Sequence, residues 1–67
     1  MSIGEAVRRR RVLHKMSQRE LGEKIGVTAS MITQIERGTK ALTVPVALEL
    51  AEVFKCSLEE LIHGIDF

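Results

Sequence analysis

Apolar residues recur along the chain three and four positions apart, the spacing of amphipathic helices. The clearest stretch places Ala47, Leu50, Ala51 and Phe54 on one helical face. Shorter sets with this spacing occupy three other segments, the N-terminal segment is a weaker amphipath, and no segment shows the alternation of a strand. The pattern predicts an all-α domain of five short helices at 2–14, 18–25, 29–36, 44–54 and 58–62.

Capping residues mark the predicted ends of these helices. Thr28 and Thr43 stand where the third and fourth helices need an N-cap. Three serines have a glutamate three residues later, which is the capping-box pattern: Ser2 with Glu5, Ser17 with Glu20, and Ser57 with Glu60. Left-handed C-terminal stops are expected at glycines, namely Gly26, Gly38 and Gly64.

The predicted core is the set of apolar residues that helical spacing places on facing sides. With 67 residues the chain fits one domain, 1–67, and a domain of this size buries only about 60% of its unfolded surface. The predicted core residues are Ile3, Val7, His14, Leu21, Ile25, Val27, Ile32, Ile35, Ala47, Leu50, Ala51, Phe54, Leu58, Leu61 and Ile62.

Composition excludes several classes of protein. One cysteine cannot form an intramolecular disulfide, and the longest apolar stretch, 41–48, is too short for a membrane span of about 20 residues. The possible metal ligands, His14, Cys56 and His63, lack zinc spacing, and no nucleophile with a base is evident. We expect no enzyme, no catalytic residue, no metal or cofactor, no small-molecule ligand and no membrane partner. The expected location is cytoplasmic, as in a bacterial or phage-type protein that is nucleoid-associated when bound to DNA.

Charge is distributed unevenly along the chain. Residues 1–40 hold nine basic and four acidic side chains, a net charge of +5, whereas residues 41–67 hold one basic and five acidic, a net charge of −4. This asymmetry indicates one face that meets a polyanion and another that is kept away from it, although chance can produce it in a short chain.

Residues 18–37, QRELGEKIGVTASMITQIER, have the features of a helix-turn-helix. Apolar residues stand where two helices would cross, and Gly26 ends the first helix before a tight turn. Gly22 lies inside a predicted helix at a cost of about 0.5–1 kcal/mol relative to alanine, so a close approach of the next helix is expected there. The helix-turn-helix core is placed at about 17–38.

The side chains left exposed on the third helix suit the reading of bases. Ala29, Ser30, Thr33 and Gln34 are short or carry an amide. Glutamine can bond adenine through two hydrogen bonds, serine and threonine can bond several bases, and an alanine or threonine methyl can meet a thymine methyl. The alternative is a solvated helix face, for which glutamate and lysine are the usual residues.

The combination of these motifs resembles the Cro/CI phage-repressor family of helix-turn-helix proteins, often called XRE. The resemblance covers about residues 3–62. It rests on MSQRELGEKIGVTASMITQIERG, followed after a loop by TVPVALELAEVFKCSLEELI. It implies a compact, all-α, five-helix, lambda-repressor-like DNA-binding domain with its helix-turn-helix at helices 2–3, and binding of operator DNA as a two-fold dimer.

The resemblance also implies residue roles. The base readers would be Ala29, Ser30, Thr33 and Gln34, and Arg11 would pair with Glu36 to tie the first helix to the third. Phosphate contacts would come from Gln18, Arg37, Thr39 and Lys40. Arg10 is added to this set from the run of four arginines, whose members point about 100° apart on a helix and so cannot form one stripe. The others are expected to be solvated or paired with Glu5.

Two departures from the family pattern matter. Lys15 stands where the family often ends its first helix with glycine, so a strained turn is expected. Ala29 cannot make the hydrogen bonds of a glutamine at that position, which affects the operator sequence and not the fold.

The function expected is a sequence-specific, double-stranded DNA-binding transcriptional regulator of the repressor type. It would read a palindromic operator as a homodimer through helix 3 in the major groove. The expected dimer interface is Leu58, Ile62, Ile65 and Phe67 in the acidic half, although these residues could instead fold back onto the monomer's own core. The alternative function is a protein-interaction module, an antitoxin or partner-docking subunit, on the same fold.

Overall fold

The computed structural model describes residues 2–63, which form five helices with the predicted order and with ends within one residue of those predicted. They are α1 (Ile3–Leu13), α2 (Gln18–Ile25), α3 (Ala29–Arg37), α4 (Val44–Phe54) and α5 (Leu58–Ile62). Within the described range there is no strand. None of the five helices is long and apolar enough to cross a bilayer.

Every helix begins at the predicted serine or threonine. In the three capping boxes, the glutamate amide donates to the serine hydroxyl at 3.0–3.1 Å, and the serine amide donates to the carboxylate at 2.8–3.1 Å. The bond from the serine backbone, then that involving its hydroxyl, lowers the pKa of the glutamate below the ordinary value of 4.5 in each box: Glu5, Glu20 and Glu60. The starts of α1, α2 and α5 are therefore specified by local chemistry.

Left-handed residues end three helices or the turns that follow them. Gly26 and Gly38 have φ of +78° and cap α2 and α3, as predicted. Lys15 follows α1 with φ of +57°, which is the strain expected there, and Lys55 caps α4 with φ of +55°, which the sequence did not predict. The stop predicted at Gly64 lies outside the described residues.

The core contains most of the predicted residues. Its buried cluster is Val7, Leu21, Ile32, Ile35, Ala47, Leu50, Ala51, Phe54 and Leu61, with Ile25, Val27 and Leu58 partly buried against it. Three core predictions are wrong: Ile3 and Ile62 are 38% and 43% exposed, and His14 is also exposed. Ile3 and Ile62 are terminal residues of their helices, and His14 follows α1 with its ring beside that of Phe54, centroids 5.3 Å apart.

Two glycines allow segments to approach closely. A Cβ on Gly4 would lie 2.5 Å from the carbonyl oxygen of Glu36, so α1 packs directly on the backbone at the end of α3. A Cβ on Gly22 would lie 2.6 Å from the carbonyl oxygen of Val27. The close neighbour of Gly22 is therefore the backbone of the α2–α3 turn, and not the next helix as predicted.

Candidate nucleic-acid interface

The first residue of α2 and the second turn of α3 are joined by side-chain hydrogen bonds. Thr33 Oγ1 lies 2.7 Å from Gln18 Oε1 and 3.1 Å from the carbonyl oxygen of Ala29. Gln18 Nε2 donates to Glu36 Oε1 at 3.0 Å. Because a carboxylate only accepts hydrogen bonds, the amide nitrogen of Gln18 must face Glu36, and its oxygen must face the Thr33 hydroxyl.

Arg11 extends this network to α1. Its Nε donates to Glu36 Oε2 at 2.7 Å, and a terminal nitrogen donates to Oε1 at 3.2 Å. The other terminal nitrogen donates to the carbonyl oxygen of Met16 at 2.8 Å, across the turn that contains Lys15. The side chains of Arg11 and Glu36 are only 12% and 4% exposed. The structure thus places the expected pair in contact, and we define the polar network as Arg11, Glu36, Gln18 and Thr33.

The four candidate base readers differ in what they leave free. Ser30 and Gln34 are exposed, and within residues 2–63 neither side chain makes a hydrogen bond to the protein. Ala29 and Thr33 are half-buried, and the Thr33 hydroxyl belongs to the polar network. Two of the four positions therefore keep unused polar groups for a ligand.

The loop after α3 folds back onto the carbonyl oxygen of Gln34. That oxygen accepts hydrogen bonds from the Thr39 amide at 3.0 Å, the Lys40 amide at 3.3 Å and the Thr39 hydroxyl at 3.2 Å. Gly38 makes this reversal possible through its positive φ. Exposed basic side chains, Arg37 and Lys40, consequently stand beside the end of the reading helix.

Arg10 lies elsewhere, which corrects its assignment to this surface. It faces the start of α5, where its charge lowers the pKa values of Cys56 and Glu60 as a minor contribution. Its Nε is buried, with no hydrogen-bond partner in the described part of the chain. The reason is helical geometry: Arg11 takes the position that faces α3, which turns its neighbour about 100° away toward α5.

The residues predicted for a dimer interface are placed only in part. Ile62 is exposed on α5, Leu58 is half-buried against the core, and Ile65 and Phe67 lie outside the described residues. The sequence prediction missed a second apolar pair, Val44 and Leu48, which are 66% and 52% exposed on α4. Their spacing, on the side of α4 opposite its core residues, was the signal that could have revealed them.

The described residues hold no cluster of three or more side chains suited to bind a metal ion. Cys56 is a free, half-buried thiol whose pKa is raised by burial.

Comparison with known proteins agrees with this geometry. A family model described as helix-turn-helix matches residues 7–61, which is most of the chain. The chain belongs to the helix-turn-helix family. Membership confirms the class predicted from the Cro/CI resemblance, a DNA-binding domain of transcriptional regulators and not an enzyme.

Individual relatives carry similar descriptions. The chain is 37% identical over 57 residues to a putative HTH-type transcriptional regulatory protein of Thermococcus kodakarensis, covering 85% of this chain but only 18% of that protein. It is 31% identical over 51 residues to an uncharacterized HTH-type transcriptional regulator of Methanocaldococcus jannaschii, covering 76% of this chain and 77% of that one. The fold matches the P22 c2 repressor protein, solved in complex with a synthetic operator, with a TM-score of 0.89, 33% identity and coverage of 96% and 97%.

Proposed function

We propose that this chain is a sequence-specific, double-stranded DNA-binding transcriptional regulator of the repressor type that reads bases with α3 in the major groove. One observation carries the proposal: Ser30 and Gln34 present unused polar groups on a helix whose other side is fixed by the polar network and the core. A major groove about 12 Å wide admits an α-helix. The P22 c2 repressor, whose fold this chain shares, was solved with operator DNA.

Gln34 is the strongest candidate reader. Its amide can donate to N7 and accept from the N6 amino group of adenine, as a bidentate pair worth about 1–3 kcal/mol of discrimination. In vitro selection from random duplexes supplies a preferred sequence. Gln34→Ala should then lose about 1–3 kcal/mol on that sequence and relax the preference at one base pair, while affinity for random duplex changes little. Glu52→Ala, an exposed change on α4, is the matched control. Equal loss on selected and random duplexes would contradict base reading by Gln34.

Phosphate contacts are assigned to Gln18, Arg37, Thr39 and Lys40. Gln18 keeps one amide hydrogen beyond the one donated to Glu36, and the other three flank the C-terminal end of α3. Lys40→Ala should weaken binding by the same factor on all duplexes. If a dimer engages about six to ten phosphates, log K should fall against log salt with a slope of roughly −5 to −9, and each lysine removed should lower it by about 1 per site. A salt-independent affinity would exclude this electrostatic role.

Homodimerisation through Leu58, Ile62, Ile65 and Phe67 completes the proposal. A single module buries about 600–1,000 Å² on DNA, whereas two modules about 34 Å apart can read successive major grooves. The acidic half of the chain is the side that phosphate repels. Ile62→Glu should weaken binding to a palindrome while affinity for one half-site is kept, and Leu48→Glu is the control at a comparably exposed apolar residue. A monomer at high concentration that binds one half-site as tightly as the palindrome would refute the dimer.

A further inference from the structure

The hydroxyl of Thr33 is already used inside the protein. It has one hydrogen, which the 2.7 Å contact directs to Gln18 Oε1, and the Ala29 carbonyl oxygen lies on its other side at 3.1 Å. The Gln18 amide is in turn held by Glu36 at 3.0 Å, and Glu36 by Arg11 at 2.7 Å. The hydroxyl therefore has no hydrogen left to donate to a base.

We infer that Thr33 determines specificity through its methyl group alone, by packing against the C5-methyl of a thymine. The inference rests on the proposed function, since it requires α3 to lie in the major groove. Within that frame it divides the reading face into two chemistries. Ser30 and Gln34 have free hydrogen-bonding groups, whereas Thr33 offers an apolar surface with its polar atom turned into the protein.

This assignment explains why threonine suits the position. Serine would keep the bond to Gln18 but would have no methyl, and valine would keep a methyl but would leave Gln18 Oε1 without its donor. Threonine supplies both groups from one Cβ. The two roles can consequently be separated by substitution, because each neighbouring residue type removes one of them.

The experiment replaces each thymine of the selected duplex by deoxyuridine, one at a time, which removes only the C5-methyl group. The probe proteins are the wild type, Thr33→Ser and Thr33→Val, each checked for native helical content by circular dichroism. The readout is the ratio of affinities for the thymine and deoxyuridine duplexes. Because both affinities come from the same variant, any uniform change caused by releasing Gln18 cancels in this ratio.

For the wild type and Thr33→Val, we expect deoxyuridine at one position of each half-site to weaken binding about fourfold, the effect of one buried methyl group. For Thr33→Ser the ratio at that position should be close to one. The inference is overturned if Thr33→Ser keeps the full penalty, or if Thr33→Val loses it and Thr33→Ser does not. It is also overturned if no thymine of the wild-type duplex shows a penalty.

Failure of the proposed function would look different. If selection enriches no sequence, or if the protein binds all duplexes alike, DNA reading by α3 is itself wrong. If a sequence is enriched and Gln34→Ala relaxes its recognition, the proposed function stands, and only the deoxyuridine ratios decide the role of Thr33.

Discussion

Removing Arg11 should destabilise the domain far more than removing a solvent-exposed arginine. The Glu36 carboxylate is 4% exposed and accepts two hydrogen bonds from Arg11 and one from Gln18. In Arg11→Met the carboxylate keeps only the neutral donor. Leaving a buried charge without its partner costs about 3–5 kcal/mol, and the 12% exposure of Arg11 favours the low end, about 3 kcal/mol. The variant also loses the bond from Arg11 to Met16, which spans the strained turn at Lys15.

That loss is large for so small a domain. At about 0.05–0.15 kcal/mol per residue, the whole chain is stable by only about 3–10 kcal/mol. Urea unfolding followed by circular dichroism should therefore show a midpoint lower by about 2–3 M, or a chain that is partly unfolded without urea. The double variant Arg11→Met with Glu36→Met should be less destabilised than the sum of the two single variants, by about 2 kcal/mol.

The control is the chain's other described ion pair. Arg19 lies 3.5 Å from Glu23 on α2, with side chains 83% and 65% exposed. Such a pair is worth about 0.3–0.5 kcal/mol, so Arg19→Met should barely move the midpoint. If Arg11→Met is no more destabilising than Arg19→Met, the argument from burial is wrong.

Three further outcomes are expected from the backbone and the caps. Lys15→Gly and Lys55→Gly should each stabilise the domain by about 1 kcal/mol in urea unfolding, because both residues have positive φ, whereas Lys24→Gly, inside α2, should destabilise it by about as much. Gly22→Ala should cost about 1–3 kcal/mol, because its Cβ would meet the Val27 carbonyl oxygen at 2.6 Å, and an unchanged thermal midpoint would contradict that contact. Stability should fall as the pH drops below 4.5, because carboxyls with lowered pKa values bind protons more weakly in the folded chain, and this fall should be shallower with glutamine at Glu5, Glu20 and Glu60.

The fold could be predicted from the sequence because its signals are local. Ser17 with Glu20 and Thr28 specify helix starts within four residues, and Gly38 specifies a stop, without information from the rest of the chain. Local signals failed where tertiary contacts decide. Lys55 adopts a left-handed conformation that its residue type does not favour, and Ala6 is fully buried because α1 packs against α3, α4 and α5 at once.

The candidate site was predicted as a list of residues but not as a set of contacts. The sequence named Gln18 and Thr33 separately, one for a phosphate and one for a base, and nothing in their spacing shows that they bond to each other. Arg10 and Arg11 are adjacent and chemically identical, so their different partners depend on which side of α1 meets α3. These pairings require the relative positions of three helices.

The separation between fixed and unused side chains on α3 has a consequence for how such a protein can change its target over evolutionary time. Thr28 fixes the start of the helix, and Thr33 is held by Gln18, but Ser30 and Gln34 support nothing else in the described part of the chain. Substitutions at these two positions should be nearly neutral for folding, so new recognition sequences can be explored without compensating changes in the core. Retargeting by design should begin there, and it should leave Thr33 and its network untouched.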